Sequence, residues 1–159
     1  MGMLSQYMCE RAKGTRHAIV IDPADQSPDV AANRALAAAH AGSQMILVGG
    51  SSDTDMKNVH ATIVAIKEAL ELVTWASSQD SDSDENPSQI PVVLFPQGAA
   101  ALSPAADGIT FMMLMNSKDP RFLIGEQVRG APFVKKSGIE PVPMGYLICE
   151  PGGKAGEVG

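Results

Sequence analysis

Two runs of this sequence end alike: VIDPAD (20–25) and LVGGSS (47–52) are aliphatic stretches that stop on oxygen-bearing residues, Asp22 and Ser51. A carboxylate and a hydroxyl projecting from neighbouring strand ends are donors for a hard divalent cation such as Mg²⁺. That ion takes few protein oxygens and completes its octahedron with water or phosphate. The same residue types also close ordinary turns, Asp before Pro23 and Gly-Gly-Ser before a helix, so spacing alone leaves both readings open. Other chemistry-bearing residues are scattered. His17, His40 and His60 share no metal-ligand spacing, and Cys9 and Cys149 read as free thiols. The sequence contains no Gly-x-Ser-x-Gly elbow, Walker loop or dinucleotide fingerprint.

The elements that must position Asp22 and Ser51 alternate. AIVID (18–22) reads as a buried strand, and Ser27 with Pro28 starts an alanine-rich helix that reaches about Ala41 and stops at Gly42. MILVG (45–49) is the second strand. After Asp53-Thr54-Asp55, apolar residues at 56, 59, 63, 66, 70 and 73 predict a helix with one buried stripe, ending near Trp75. Residues 77–89, SSQDSDSDENPSQ, carry four acids and no apolar side chain, which predicts a flexible surface insertion. PVVLF (91–95) and GITFMMLM (108–115) are continuously apolar, as strands covered on both faces are. Asp119-Pro120 starts a helical segment expected to break around Gly130 and Pro132, resume at FVKKS and stop at Gly138. Lys135 and Lys136 fall in its last turn, at the negative end of the helix dipole. PMGYLIC (143–149) is the fifth strand and leads into Glu150-Pro151-Gly152-Gly153.

Such alternation predicts a parallel α/β sheet. A complete (β/α)8 barrel uses about 250 residues, or about 31 per unit, so 159 residues hold about five units, the number of strands read here. The order of elements leaves a doubly wound sheet and part of a barrel both open. In either fold the strand C-termini share one ligand-binding face.

With 45% hydrophobic residues the chain supports one domain. A net charge of −6 argues against nucleic-acid binding, which requires clustered Lys and Arg. No apolar run reaches the roughly 18 residues of a membrane span, and residues 1–14 lack the apolar centre of a signal peptide. A cytoplasmic location is expected. MGMLSQ places Gln6 where a myristoylation signal needs a hydroxyl.

Longer blocks carry a resemblance. IDP (21–23), AGSQMILVGGS (41–51), VLFPQG (93–98), LSPAADGITFMMLMNSKDPRFLIGEQ (102–127) and EPVPMGYLICEPGGKAGEVG (140–159) resemble the geranylgeranylglyceryl phosphate synthase family of prenyltransferases. The likeness covers residues 17–159, in order, after an N-terminal extension, 1–16. It implies an incomplete (β/α)8 TIM-barrel fold holding about the first five units. It also implies Mg²⁺-dependent ether-bond formation between geranylgeranyl diphosphate and sn-glycerol 1-phosphate, in archaeal-type membrane lipid biosynthesis. Asp22 and Ser51 match the family's metal ligands. The prenyl tail needs an apolar groove, for which Met112, Met113, Leu114, Met115 and Phe122 are candidates, although a Met-rich strand more often serves as core. Transient contact with a membrane surface and homo-oligomerisation are further expectations.

Two departures stand against the family pattern. Ala24 and Asp25 occupy places where the family commonly has an acid and then a basic residue, so a carboxylate faces the expected diphosphate. The resemblance also places most of the glycerol-phosphate site on the last three units, so the chain reads as the N-terminal portion of a longer enzyme. The rivals are a catalytically incomplete form that binds a prenyl or phosphate ligand without turnover, and a sugar-phosphate barrel. The latter would need a Schiff-base Lys or an acid–base pair at the strand ends, where the sequence shows neither.

Overall fold

A computed structural model of the chain describes residues 2–10, 14–50, 54–80, 89–149, 151–152 and 156–157. Helix α1 (Met3–Cys9) precedes β1 (Ala18–Ile21), α2 (Pro28–His40), β2 (Met45–Gly49), α3 (Met56–Asp80), β3 (Val92–Phe95) and β4 (Gly108–Leu114). A π-helical turn (Arg121–Gly125) then runs into α4 (Glu126–Ser137), and β5 (Glu140–Tyr146) follows. All four strand pairings are parallel, and the strands lie in the order β1-β2-β3-β4-β5. A doubly wound sheet reverses its order at a switch point. This one never does, so the fold is a partial (β/α) barrel of five strands.

Side-chain alternation divides the sheet into two faces. Ile21, Ile46, Val48, Val92, Leu94 and Ile109 pack outward against Ala31, Ala35 and Ala38 of α2 and Val59, Ile63 and Ile66 of α3. Small residues on α2 let that helix lie close. Met45 and Val93 point the other way and form a second cluster with Leu4, joined by Tyr7, Leu47 and Val142. Helix α1 therefore closes the N-terminal end of the strands. Glu140 of β5 fixes it there, accepting from Leu4 N (2.8 Å), Ser5 N (2.9 Å) and Ser5 Oγ (2.5 Å). A Cβ on Gly2 would lie 2.1 Å from the Glu140 carboxyl carbon, so glycine is what lets the carboxylate reach the helix start.

Local signals act as the sequence predicts at several ends. Ser27 Oγ accepts from Val30 N at 3.4 Å, Gly42 adopts φ 94°, and Gly138 ends α4 at φ 74°. Helix α3 starts on Asp55, whose Oδ1 accepts from Asn58 N at 2.7 Å.

Four boundaries differ from expectation. Helix α3 passes Trp75 and runs to Asp80, so the first residues of the acidic 77–89 stretch are helical; residues 81–88 lie outside the described residues. Helix α4 is continuous through Gly130 and Pro132, because burial of Gly130 and Val134 holds it in place; the irregularity lies upstream, in the π-turn. Strand β5 runs Glu140–Tyr146, so it both starts and ends three residues before the predicted 143–149. The strand–helix alternation fails once, since residues 96–107 join β3 to β4 without a helix. Two side chains of α3 hold that connector. His60 Nδ1 pairs with buried Ser103 Oγ at 2.9 Å, and Lys67 Nζ reaches Ala105 O (3.2 Å) and Asp107 Oδ1 (2.7 Å). Asp107 Oδ2 in turn accepts from Val92 N at 2.7 Å.

Candidate functional site at the C-terminal strand ends

Pairing of Ile21 with Val48 brings Asp22 beside the glycines that end β2. Each glycine has its own reason. Gly49 has φ 144°, and a Cβ there would come within 1.9 Å of the Phe95 carbonyl oxygen, so β2 and β3 close only over a glycine. A Cβ on Gly50 would lie 2.2 Å from Asp22 Oδ2 and 2.8 Å from its Cγ. The Asp22 carboxylate thus occupies the space that a side chain at residue 50 would take. Ser51 lies outside the described residues, so the structure carries Asp22 as far as the residue preceding it.

Hydrogen bonds hold both the Asp22 backbone and its carboxylate. Asp22 Oδ1 accepts from Ala24 N (3.0 Å), and its carbonyl accepts from Asp25 N (3.2 Å) and Gln26 Nε2 (2.8 Å). Asn58 of α3 donates to the Pro23 carbonyl at 2.7 Å. A fixed, half-buried carboxylate with Oδ2 directed at a glycine is a suitable hard donor for Mg²⁺, and its cradle would be filled by any larger residue. Among the described residues no three His, Cys, Asp or Glu side chains converge. A magnesium ion held mainly by water and phosphate needs no such group.

Asp25 is exposed. A cation that sequence reasoning missed stands nearby. Arg34, two turns into α2, donates to Gln26 Oε1, and Gln26 Nε2 donates to the Asp22 carbonyl. The glutamine amide therefore links a guanidinium to the Asp22 loop. No motif marks Arg34 or Asn58, because both arrive from helices folded over that loop.

Across the same face a pocket opens between β4 and α4. Ile109, Phe111, Met112, Leu102 and Phe122 give it an apolar wall, and Gln97, Glu126 and Tyr146 give it a polar rim. Of the five groove candidates, Met112 and Phe122 line this pocket, whereas Leu114 is buried core and Met113 and Met115 are exposed. Burial raises the Tyr146 phenol above the ordinary tyrosine value.

Glu126 holds one edge of the pocket. Its Oε2 accepts from Ala99 N at 2.7 Å, and its Oε1 accepts from Arg121 Nε at 2.7 Å and Arg129 Nη1 at 2.8 Å. Burial alone would raise the carboxyl. The Ala99 N–H, the Arg121 hydrogen bond and the charges of Arg129 and Arg121 outweigh that effect and leave it below the ordinary glutamate value.

Two histidines serve structure: His17 Nδ1 pairs with Ser43 Oγ at 2.8 Å at the entrance of β1, and His60 braces the connector described above, while His40 is exposed in the last turn of α2. Cys9 and Cys149 are free and exposed. Glu150 and Gly153 lie outside the described residues. No helix among the described residues is long and apolar enough to cross a membrane.

Comparison with known proteins agrees with the partial-barrel fold. Residues 9–159 match the model of the PcrB family. The geranylgeranylglyceryl phosphate synthase of Methanococcoides burtonii is 43% identical over 158 residues, 98% of this chain and 57% of the relative. That of Methanosarcina mazei is 42% identical over 146 residues, 92% of this chain and 52% of the relative. The chain spans about half the length of the curated relatives it matches. Among solved structures, wild-type GGGPS from Thermoplasma volcanium aligns with a TM-score of 0.80 at 38% identity, covering 99% of this chain and 56% of that one. The Thermoplasma acidophilum (S)-3-O-geranylgeranylglyceryl phosphate synthase, in complex with its substrate sn-glycerol-1-phosphate, aligns with a TM-score of 0.81 at 32% identity over the same shares.

Proposed function

The chain belongs to the PcrB family, and from that premise we propose that it acts in transfer of a geranylgeranyl group from its diphosphate to sn-glycerol 1-phosphate, with Mg²⁺ as cofactor. The observation that carries this reading is the Asp22 carboxylate seated against Gly50 where β1 and β2 end together. Relatives named for the reaction, and a Thermoplasma acidophilum structure holding sn-glycerol-1-phosphate, supply the substrate class.

In this reading Asp22, with Ser51 as the second donor from the family resemblance, holds the ion. Bound there, Mg²⁺ supplies positive charge to the departing diphosphate as the ether bond forms. Asp22 keeps its position through the Ala24 N–H and through the brace on its own carbonyl. Gly50 leaves the space that Oδ2 occupies. The pocket walled by Phe111, Met112 and Phe122 receives part of the prenyl chain and excludes water from it. Association with the cytoplasmic membrane surface, where a prenyl diphosphate partitions, and self-association through exposed Ile124, Val128 and Leu147 belong to the same proposal.

Purified protein incubated with sn-glycerol 1-phosphate, geranylgeranyl diphosphate and Mg²⁺ should yield the ether product, and Asp22→Asn should abolish it. The second reading, ligand binding without turnover, is favoured by one observation: Asp25 presents an exposed carboxylate three residues after Asp22. Saturable prenyl diphosphate binding with no ether product over a long incubation would establish it in place of the first.

A further inference from the structure

We propose that Glu126 is a positioning residue for the prenyl chain: it ties the loop after β3 to the helix after β4 and so fixes the width of the pocket between them. The inference rests on the reading of that pocket as the chain's receptor. Three elements meet at this one carboxylate. Oε2 takes the Ala99 N–H from the loop that leaves β3, and Oε1 takes Arg121 from the π-turn and Arg129 from α4.

Pocket-lining residues flank the tie on both sides, Gln97 to Ala99 on the loop, Phe122 on the π-turn and Gln127 and Gly130 on α4. The Glu126 side chain is only 10% exposed, while those of Arg121 and Arg129 are 57% and 63% exposed. The carboxylate, not the guanidinium groups, is therefore the buried member at the pocket edge. Gly98 completes the fit. A Cβ there would stand 2.5 Å from Glu126 Oε2 and 2.9 Å from its Cδ, so the loop can approach the carboxylate only with glycine at that place. Neither Glu126 nor Gly98 belongs to the Asp22 site, which lies at the other end of the row of strands. Loosening the tie should therefore change how a chain is held and leave diphosphate capture alone.

The test measures Mg²⁺-dependent binding of inorganic pyrophosphate, farnesyl diphosphate and geranylgeranyl diphosphate to the intact chain by calorimetry. Glu126→Ala should weaken geranylgeranyl diphosphate binding about tenfold or more and farnesyl diphosphate less, with pyrophosphate affinity unchanged. Gly98→Ala, which pushes the carboxylate off Ala99 without removing its charge, should reproduce the same ordering if Glu126→Ala does not fold. Glu126→Gln keeps an acceptor for Ala99 but faces the two arginines with an amide, and should fall between. Equal losses for all three ligands, or no loss in any folded variant, would overturn the proposal. Wild-type protein that binds pyrophosphate but gains nothing from either prenyl chain would instead overturn the underlying reading of the pocket.

Discussion

A single methyl group added at Gly50 tests the Asp22 site without removing any polar atom. The positive-φ glycines among the described residues are Gly14, Gly42, Gly49 and Gly138, so alanine at 50 meets no backbone strain. It should gain roughly 0.4–1 kcal/mol from a stiffer unfolded chain. Against this, Asp22 Oδ2 must retreat from 2.2 Å to the 3.4 Å of ordinary van der Waals contact, a movement of about 1.2 Å (3.4 − 2.2). Such a swing breaks the exposed Ala24 N–H···Oδ1 bond, worth about 1 kcal/mol. The two effects nearly cancel, so Gly50→Ala should melt within roughly 2–4 °C of wild type. Metal–ligand distances, however, tolerate only about 0.2 Å. A carboxylate displaced by more than an ångström is no longer a ligand, and affinity for magnesium pyrophosphate should fall about tenfold or more. Calorimetric titration at fixed ionic strength, with Asp22→Asn as the benchmark, measures this. A folded Gly50→Ala protein that binds magnesium pyrophosphate within about twofold of wild type would refute the placement of the ion at Asp22.

Arg34→Ala should leave the melting temperature unchanged, since the residue is exposed, but weaken pyrophosphate binding severalfold, more at low salt than at high; titrations at two ionic strengths check it. Asp107→Ala should destabilise by about 2 kcal/mol, because it strands the Val92 N–H as well as Lys67, whereas Lys67→Met should cost under about 1 kcal/mol; urea unfolding separates them. Ser5 Oγ holds the Glu140 carboxyl below the ordinary glutamate value; burial opposes it, and the Ser5 and Leu4 N–H groups add to the lowering. A carboxyl depressed in the folded state contributes stability that is present above its unfolded pKa of about 4.3 and is lost as pH falls through the folded value. Acid should therefore release α1 before the sheet unfolds, read as early proteolytic cutting near residue 10, and Glu140→Gln should show that cutting at neutral pH.

Much of this architecture is legible in the residues themselves. Continuous aliphatic runs gave β1 to β4 to within a residue, and Ser27, Gly42 and Gly138 marked helix ends by chemistry that needs no tertiary context. Strand β5 was harder. Its reading began only at Pro143 and left out Glu140 to Val142, yet in the five-strand sheet β5 pairs with β4 alone, and proline is tolerated where its missing N–H faces away from the ladder. The continuity of α4 was hidden for a related reason, since Pro132 is a helix breaker by propensity and only packing at Gly130 and Val134 overrides it. In the candidate site, the place of Asp22 beside the end of β2 was legible because strand ends converge in parallel folds. Asn58, Arg34 and Glu126 were not, because each reaches its partner from a separate helix or turn, and no spacing rule connects them.

The bond between Glu140 and the start of α1 joins residues 136 apart in the chain. A ribosome adding about 5–20 residues per second needs roughly 7–27 seconds to supply that partner after Leu4 has been made. Throughout that interval the short amino-terminal helix has neither its carboxylate nor the floor of Val93 and Val142 to rest on. Helix α1 is thus made well before its seat exists, and a nascent-chain binder has that interval in which to act there.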